Sequence, residues 1–200
     1  GTTSVAIGRS TLKTQNFTTS TSTYNTAVGY TAGLSITTGV KNTLIGGLVG
    51  DALTDADLNT AVGYFALSAD TLGSRSTAIG TGALKVQNFT TATDTYNTAV
   101  GFETGVALTT GVENTLIGAL AGDALTSGQQ NVALGAYALT SDTLGSKSTA
   151  LGRLALADQN FTTATDAYNV AVGFAAGGDI TTGNQTTIVG ALAGDALTVG

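Results

Sequence analysis

The chain has 200 residues, no His, Cys, Met, Trp or Pro, 28 Gly, 10% charged residues and a net charge of −6. These absences remove imidazole bases, thiolates, soft metal ligands and disulfides, and the negative balance opposes a nucleic-acid partner. Apolar residues make up 42% and mean hydropathy is +0.25, which excludes disorder by low hydrophobicity, while no apolar run reaches the roughly 18 residues of a membrane span.

Along the chain, one five-residue unit returns: Asn or Ser, usually Thr, two aliphatic residues, then Gly. It starts at Ser4–Gly8 and recurs at 25–29 (NTAVG), 42–46 (NTLIG), 59–63 (NTAVG) and 76–80 (STAIG). Its glycines fall at 8, 29, 46, 63, 80, 101, 118, 135, 152, 173 and 190. Successive numbers differ by 17 (29 to 46, 46 to 63, 63 to 80), and by 21 at every fourth step (8 to 29, 80 to 101, 152 to 173). Four units make a 72-residue super-repeat, and residues 25–96 and 97–168 align without a gap at 46 identical positions.

A short β-branched unit ending in Gly favours a strand followed by a corner, and so short a period cannot hold a helical hairpin repeat. The predicted fold is all-β: a parallel β-solenoid of about eleven coils, 17 or 21 residues each, forming a single repeat domain over 1–200. The Gly column is expected to mark a corner that needs positive φ or close approach of the next coil.

Two adjacent columns are apolar. The residue before Gly is aliphatic throughout (Ile7, Val28, Ile45, Val62, Ile79, Val100, Ile117, Leu134, Leu151, Val172, Val189) and reads as a buried ladder. The residue before that is Ala or a larger aliphatic, from Ala6 and Ala27 to Ile188. Neighbouring strand residues point to opposite faces, so two apolar columns imply one face on the lumen and a second covered from outside. A local bulge tucking both columns inward is the alternative. The Asn/Ser column (Asn25, Asn42, Asn59, Ser76, Asn97, Asn114, Asn131, Ser148, Asn169) reads as a hydrogen-bond ladder or a set of corner caps.

Each long coil carries an insertion, Gln15–Thr19, Gln87–Thr91 and Gln159–Thr163, followed by Tyr24, Tyr96 or Tyr168. At a coil rise of roughly 4.8 Å these bulges recur roughly every 19 Å. They read as packing or subunit contacts, with a repeated glycan or receptor contact as the sharper alternative. Asp51, Asp123 and Asp195, each in a Gly-Asp-Ala-Leu corner, are expected to satisfy corner backbone amides. Asp55, Asp57 and Asn59 alternate like a calcium loop, but Thr60 replaces the required Gly, and residues 127–131 (SGQQN) lose both carboxylates. Asn16, Asn88, Asn160 and Asn184 begin glycosylation sequons that a Thr-rich repeat generates cheaply.

The NTAVGY signature at 25–30, with a following TTG at 37–39, 109–111 and 181–183, resembles the head repeats of YadA-type trimeric autotransporter adhesins. It is closer still to the variants in phage tail fibres and bacterial surface fibres, whose period matches the one here. The resemblance covers essentially the whole chain. It implies a left-handed β-roll, a parallel homotrimer and an extracellular place on a virion tail fibre or cell surface. The chain departs from the adhesin pattern: the adhesin coils are shorter, and no coiled-coil stalk, membrane anchor or self-cleaving chaperone segment is read within these 200 residues.

The expected function is a structural fibre or shaft, non-catalytic, with no catalytic, cofactor-binding or metal residues and no cofactor. Expected partners are further copies, as a homotrimer or an end-to-end filament, and a cell-surface glycan or receptor; neither nucleic acid nor membrane insertion is expected. A carbohydrate-binding or depolymerising spike is the alternative, and an ice-binding solenoid stands behind it. For ice binding, the Thr column (Thr26, Thr43, Thr60, Thr77, Thr98, Thr115) is one residue wide and is broken at Val132 and Val170. The first and last coils resemble internal ones, so both ends read as uncapped, continued or stacked. The first residue is not Met, which reads as a processed product or a fragment.

Overall fold

The computed structural model describes residues 1–199. Eleven three-residue strands, from Val5–Ile7 to Thr187–Val189, form one parallel sheet in which each coil pairs with the next. The register follows the repeat: Thr26, Ala27 and Val28 lie on Thr43, Leu44 and Ile45, and those on Thr60, Ala61 and Val62. Two small parallel pairs, Gly73–Ser74 with Thr93–Asp94 and Gly145–Ser146 with Thr165–Asp166, form where a long coil stacks on a short one. The fold is therefore a parallel β-solenoid of about eleven turns, as the period predicts.

The corner glycines combine both expected reasons. Gly118 has φ +130°, and a Cβ there would lie 2.6 Å from the carbonyl carbon of Gly135 in the next coil. Other corners hold non-glycine residues in the left-handed region, among them Tyr24 (φ 51°), Lys41 (φ 60°) and Leu67 (φ 53°). Each such residue costs on the order of 1–2 kcal/mol, so stacking, not local preference, sets the coil path.

The lumen is filled by the column two residues before the Gly, not by the one adjacent to it. Ala27, Leu44, Ala61, Ala78, Ala99, Leu116, Ala133, Ala150 and Ala171 are fully or almost fully buried. The expectation of a buried ladder one residue later is corrected: Ile45 is 41% exposed, and Ile79, Leu134 and Leu151 are exposed as well. With the middle side chain of each three-residue strand turned inward, its two neighbours point the other way.

Four residues beyond each corner Gly, a second lumen column alternates in pairs: Leu12, Gly33, Gly50, Leu67, Leu84, Gly105, Gly122, Leu139, Leu156, Gly177 and Gly194. It complements the strand column. Leu116 reaches across the lumen between Gly105 and Gly122, where added Cβ atoms would lie 2.8 Å and 2.9 Å from its methyls. Beside Ala61 and Ala78 the same position holds Leu67 and Leu84. Large and small lumen residues thus compensate between adjacent coils, as where Leu116 fills the space at Gly105 of the coil before it.

Candidate functional site

The Asn column is both ladder and cap. Asn25 Oδ1 accepts the backbone N–H of Asn42 at 2.9 Å, while its Nδ2 donates to the Gly39 carbonyl at 2.8 Å. Asn42 repeats this with Asn59 and with the Ala56 carbonyl. One buried amide therefore ties each coil to its neighbour and closes its own corner.

The ladder changes chemistry at the long coils. Ser76 stands where an Asn would be, and the buried Gln87 supplies the amide instead. Gln87 Nε2 donates to Asp70 Oδ2 at 2.6 Å and to Ser76 Oγ at 2.8 Å, and its Oε1 accepts from Asn97 Nδ2 at 2.9 Å. Asp70 Oδ1 also accepts the N–H groups of Gly73 and Phe89, at 3.1 and 3.0 Å. Desolvation by burial raises the Asp70 pKa above 3.8, opposed by the hydrogen bonds from Gln87, Phe89 and Gly73. Asp142, Gln159, Ser148 and Asn169 reproduce the same network. Position by position, Asp70 and Gln87 occupy the lumen column filled by Ile36, Leu53, Leu108 and Leu125 in other coils.

Outside, the main sheet presents two parallel columns. The Thr side chains and the Val/Ile/Leu side chains flank the inward Ala or Leu of every strand, and both sets are half-buried or exposed. Aromatic residues border this face. Tyr24, Tyr96 and Tyr168 precede the strands of successive super-repeats, and Tyr30, Phe102 and Phe174 follow them; all six are about half exposed. The inserted phenylalanines behave differently: Phe89 and Phe161 are buried under the bulge.

Basic side chains cluster on these rings. Arg75 lies 5.8 Å from the Tyr96 ring and pairs with Asp94 at 2.9 Å. Lys147 lies 5.2 Å from the Tyr168 ring and 2.6 Å from Asp166. The Asp166 carboxylate, followed by the Tyr168 hydroxyl, raises the Lys147 pKa from 10.5. Arg153 sits between Tyr137 and Phe174, and Arg9 over Tyr30.

Asp123 Oδ1 accepts the Thr140 hydroxyl at 2.5 Å, and Asp51 Oδ1 is buried without a partner. Burial raises the Asp51 pKa from 3.8, against a backbone hydrogen bond that lowers it. Asp55 and Asp57 accept from the Thr38 hydroxyl and the Val40 amide, so each braces the preceding coil. The Asp70–Gln87 step was not foreseen from the sequence. Its signal was a polar pair at every fourth turn of an otherwise apolar column.

No family model matches the chain, and no match is found among the curated proteins or the solved structures.

Proposed function

We propose that the protein is a non-catalytic structural shaft of an extracellular fibre, on a virion tail or a cell surface, in which several copies run in parallel. The outward Val/Ile/Leu column carries this reading. It runs the length of the sheet beside a Thr column, and an aliphatic strip this long on one face is uncommon on a solitary soluble chain. Covering it with the same face of other copies removes the remaining exposed apolar area from water, at roughly 25 cal/mol per Å². The parallel homotrimer is the assembly implied by the resemblance to adhesin-type head repeats. The mechanical role follows from the backbone: hydrogen bonds run along the rod, and each coil is locked to the next by a buried amide.

Sedimentation velocity tests the assembly. The chain is expected to sediment as a discrete oligomer, and Ile45→Glu with Ile117→Glu is expected to release monomer with an unchanged β spectrum. A wild-type monomer at micromolar concentration would refute the reading.

A glycan-contact role is the second reading, favoured by the half-exposed Tyr24, Tyr96 and Tyr168 at super-repeat spacing. Binding to immobilised surface polysaccharides, lost on replacing the three by Ala, tests it.

A further inference from the structure

The two internal polar steps show what a long coil requires from the coil beneath it. At the first, Asn59 Oδ1 accepts the Ser76 N–H at 2.8 Å. Asp70 accepts the Gln87 side-chain N–H and the Phe89 backbone N–H. At the second, Asn131 accepts Ser148 N–H, and Asp142 accepts Gln159 and Phe161. Both steps use the same three donors and the same two acceptor residues, with every one of these residues buried.

The first coil carries the same donors in the same places: Ser4, Gln15 and Phe17. Among the described residues, the N–H groups of Ser4 and Phe17 donate to nothing, and Gln15 Nε2 donates only to Ser4 Oγ at 3.3 Å. These groups lie beside Val5–Ile7, whose one strand partner among the described residues is Thr26–Val28. At the other end of the rod, the acceptor positions are filled by Thr186 and Leu197. Thr186 Oγ1 donates to the Asn184 carbonyl, and Leu197 has no polar side-chain atom to offer.

We infer that the first coil is keyed to stack on a β-solenoid coil carrying Asn and Asp at the positions of Asn59 and Asp70, and not on one carrying Thr and Leu there, as Thr186 and Leu197 do. Seating a coil with Thr and Leu there would bury the Gln15 amide and the Phe17 N–H against a Leu that offers no acceptor. Unsatisfied buried donors weaken such a contact by about tenfold or more. The key thus sets which coil can stack on the first one, independently of how many chains lie side by side.

Two additions to the full chain test this. A copy of residues 129–144 appended after Gly200 completes a third super-repeat and presents Asn and Asp to the first coil of another molecule. This chain is expected to grow into head-to-tail filaments by electron microscopy and sedimentation. The unextended chain, and the extension carrying Asn131→Thr and Asp142→Leu in its copied segment, are expected to associate at least about tenfold more weakly. Equal growth by either would overturn the inference. The second addition places a copy of residues 56–72 before Gly1. It is expected to slow amide hydrogen exchange at Ser4 and Phe17 at least about tenfold, an effect lost when the copied Asn59 and Asp70 become Thr and Leu. Equal protection by both versions, or by neither, would overturn the inference even if the first extension failed to fold.

Discussion

Short and long coils solve the same packing problem with opposite chemistry. In the short coils the lumen column holds Ile36, Leu53, Leu108 and Leu125, fully buried. At the two internal long coils the same column holds Gln87 or Gln159, paired with Asp70 or Asp142 of the short coil before it. Apolar stacking stabilises but discriminates poorly, because one Leu packs on another at any step of the ladder. A buried carboxylate that needs three particular donors fits at one step in four. The polar pair therefore supplies register, at a cost in burial that its hydrogen bonds offset. A slip by one coil would also set Leu116 beside Leu139 instead of between Gly105 and Gly122, so the polar pair adds to a register that the large and small lumen residues already favour.

Breaking the apolar side of this comparison is expected to have the largest effect. Leu116→Ala leaves a void between Gly105 and Gly122 that small neighbours cannot fill, and is expected to cost about 2–5 kcal/mol in chemical denaturation. Gln87→Leu leaves Asp70 Oδ2 buried without its donor and is expected to cost about 1–3 kcal/mol. Adding Asp70→Leu to Gln87→Leu sharpens the contrast. The double variant is expected to lose less than the sum of the singles, with a coupling of about 1–3 kcal/mol in a double-mutant cycle. It is also expected to populate slipped registers, visible as heterogeneous amide exchange near residues 73–97.

The smallest effect is on pH dependence. Because burial raises the Asp70 pKa, the folded chain holds this proton at pH values where the unfolded chain has released it. Stability from this group is therefore greatest below about 3.9 and falls as pH rises through the raised native value. The midpoint of unfolding for the native chain, relative to Asp70→Asn, is expected to decline modestly across that window and to be flat above it.

The coil period, the parallel stacking and the corner glycines were legible in the sequence because each depends on a residue type recurring at fixed spacing. The Asn column was legible too, although only the structure shows that one amide serves both ladder and cap. Which of the two apolar columns faces the lumen was not legible. Ala and Val alternate identically in either orientation, and the choice depends on which side the flanking corners curl toward. The compensation between Leu116 and its two glycines, and the match of Gln87 to Asp70, join residues well separated along the chain. Such pairs are invisible until the coil path is known. The candidate surface was legible in part: the bulge tyrosines were singled out, but the second aromatic set, Tyr30, Phe102 and Phe174, becomes notable only once both sets are seen to border the outer sheet face.

Direct imaging of the native assembly by cryo-electron microscopy, with chains counted in each cross-section, tests the fibre reading most directly. Several parallel chains with Val28, Ile45 and Val62 at their shared centre are the expected result. A single chain per cross-section, with that column open to solvent, would contradict it.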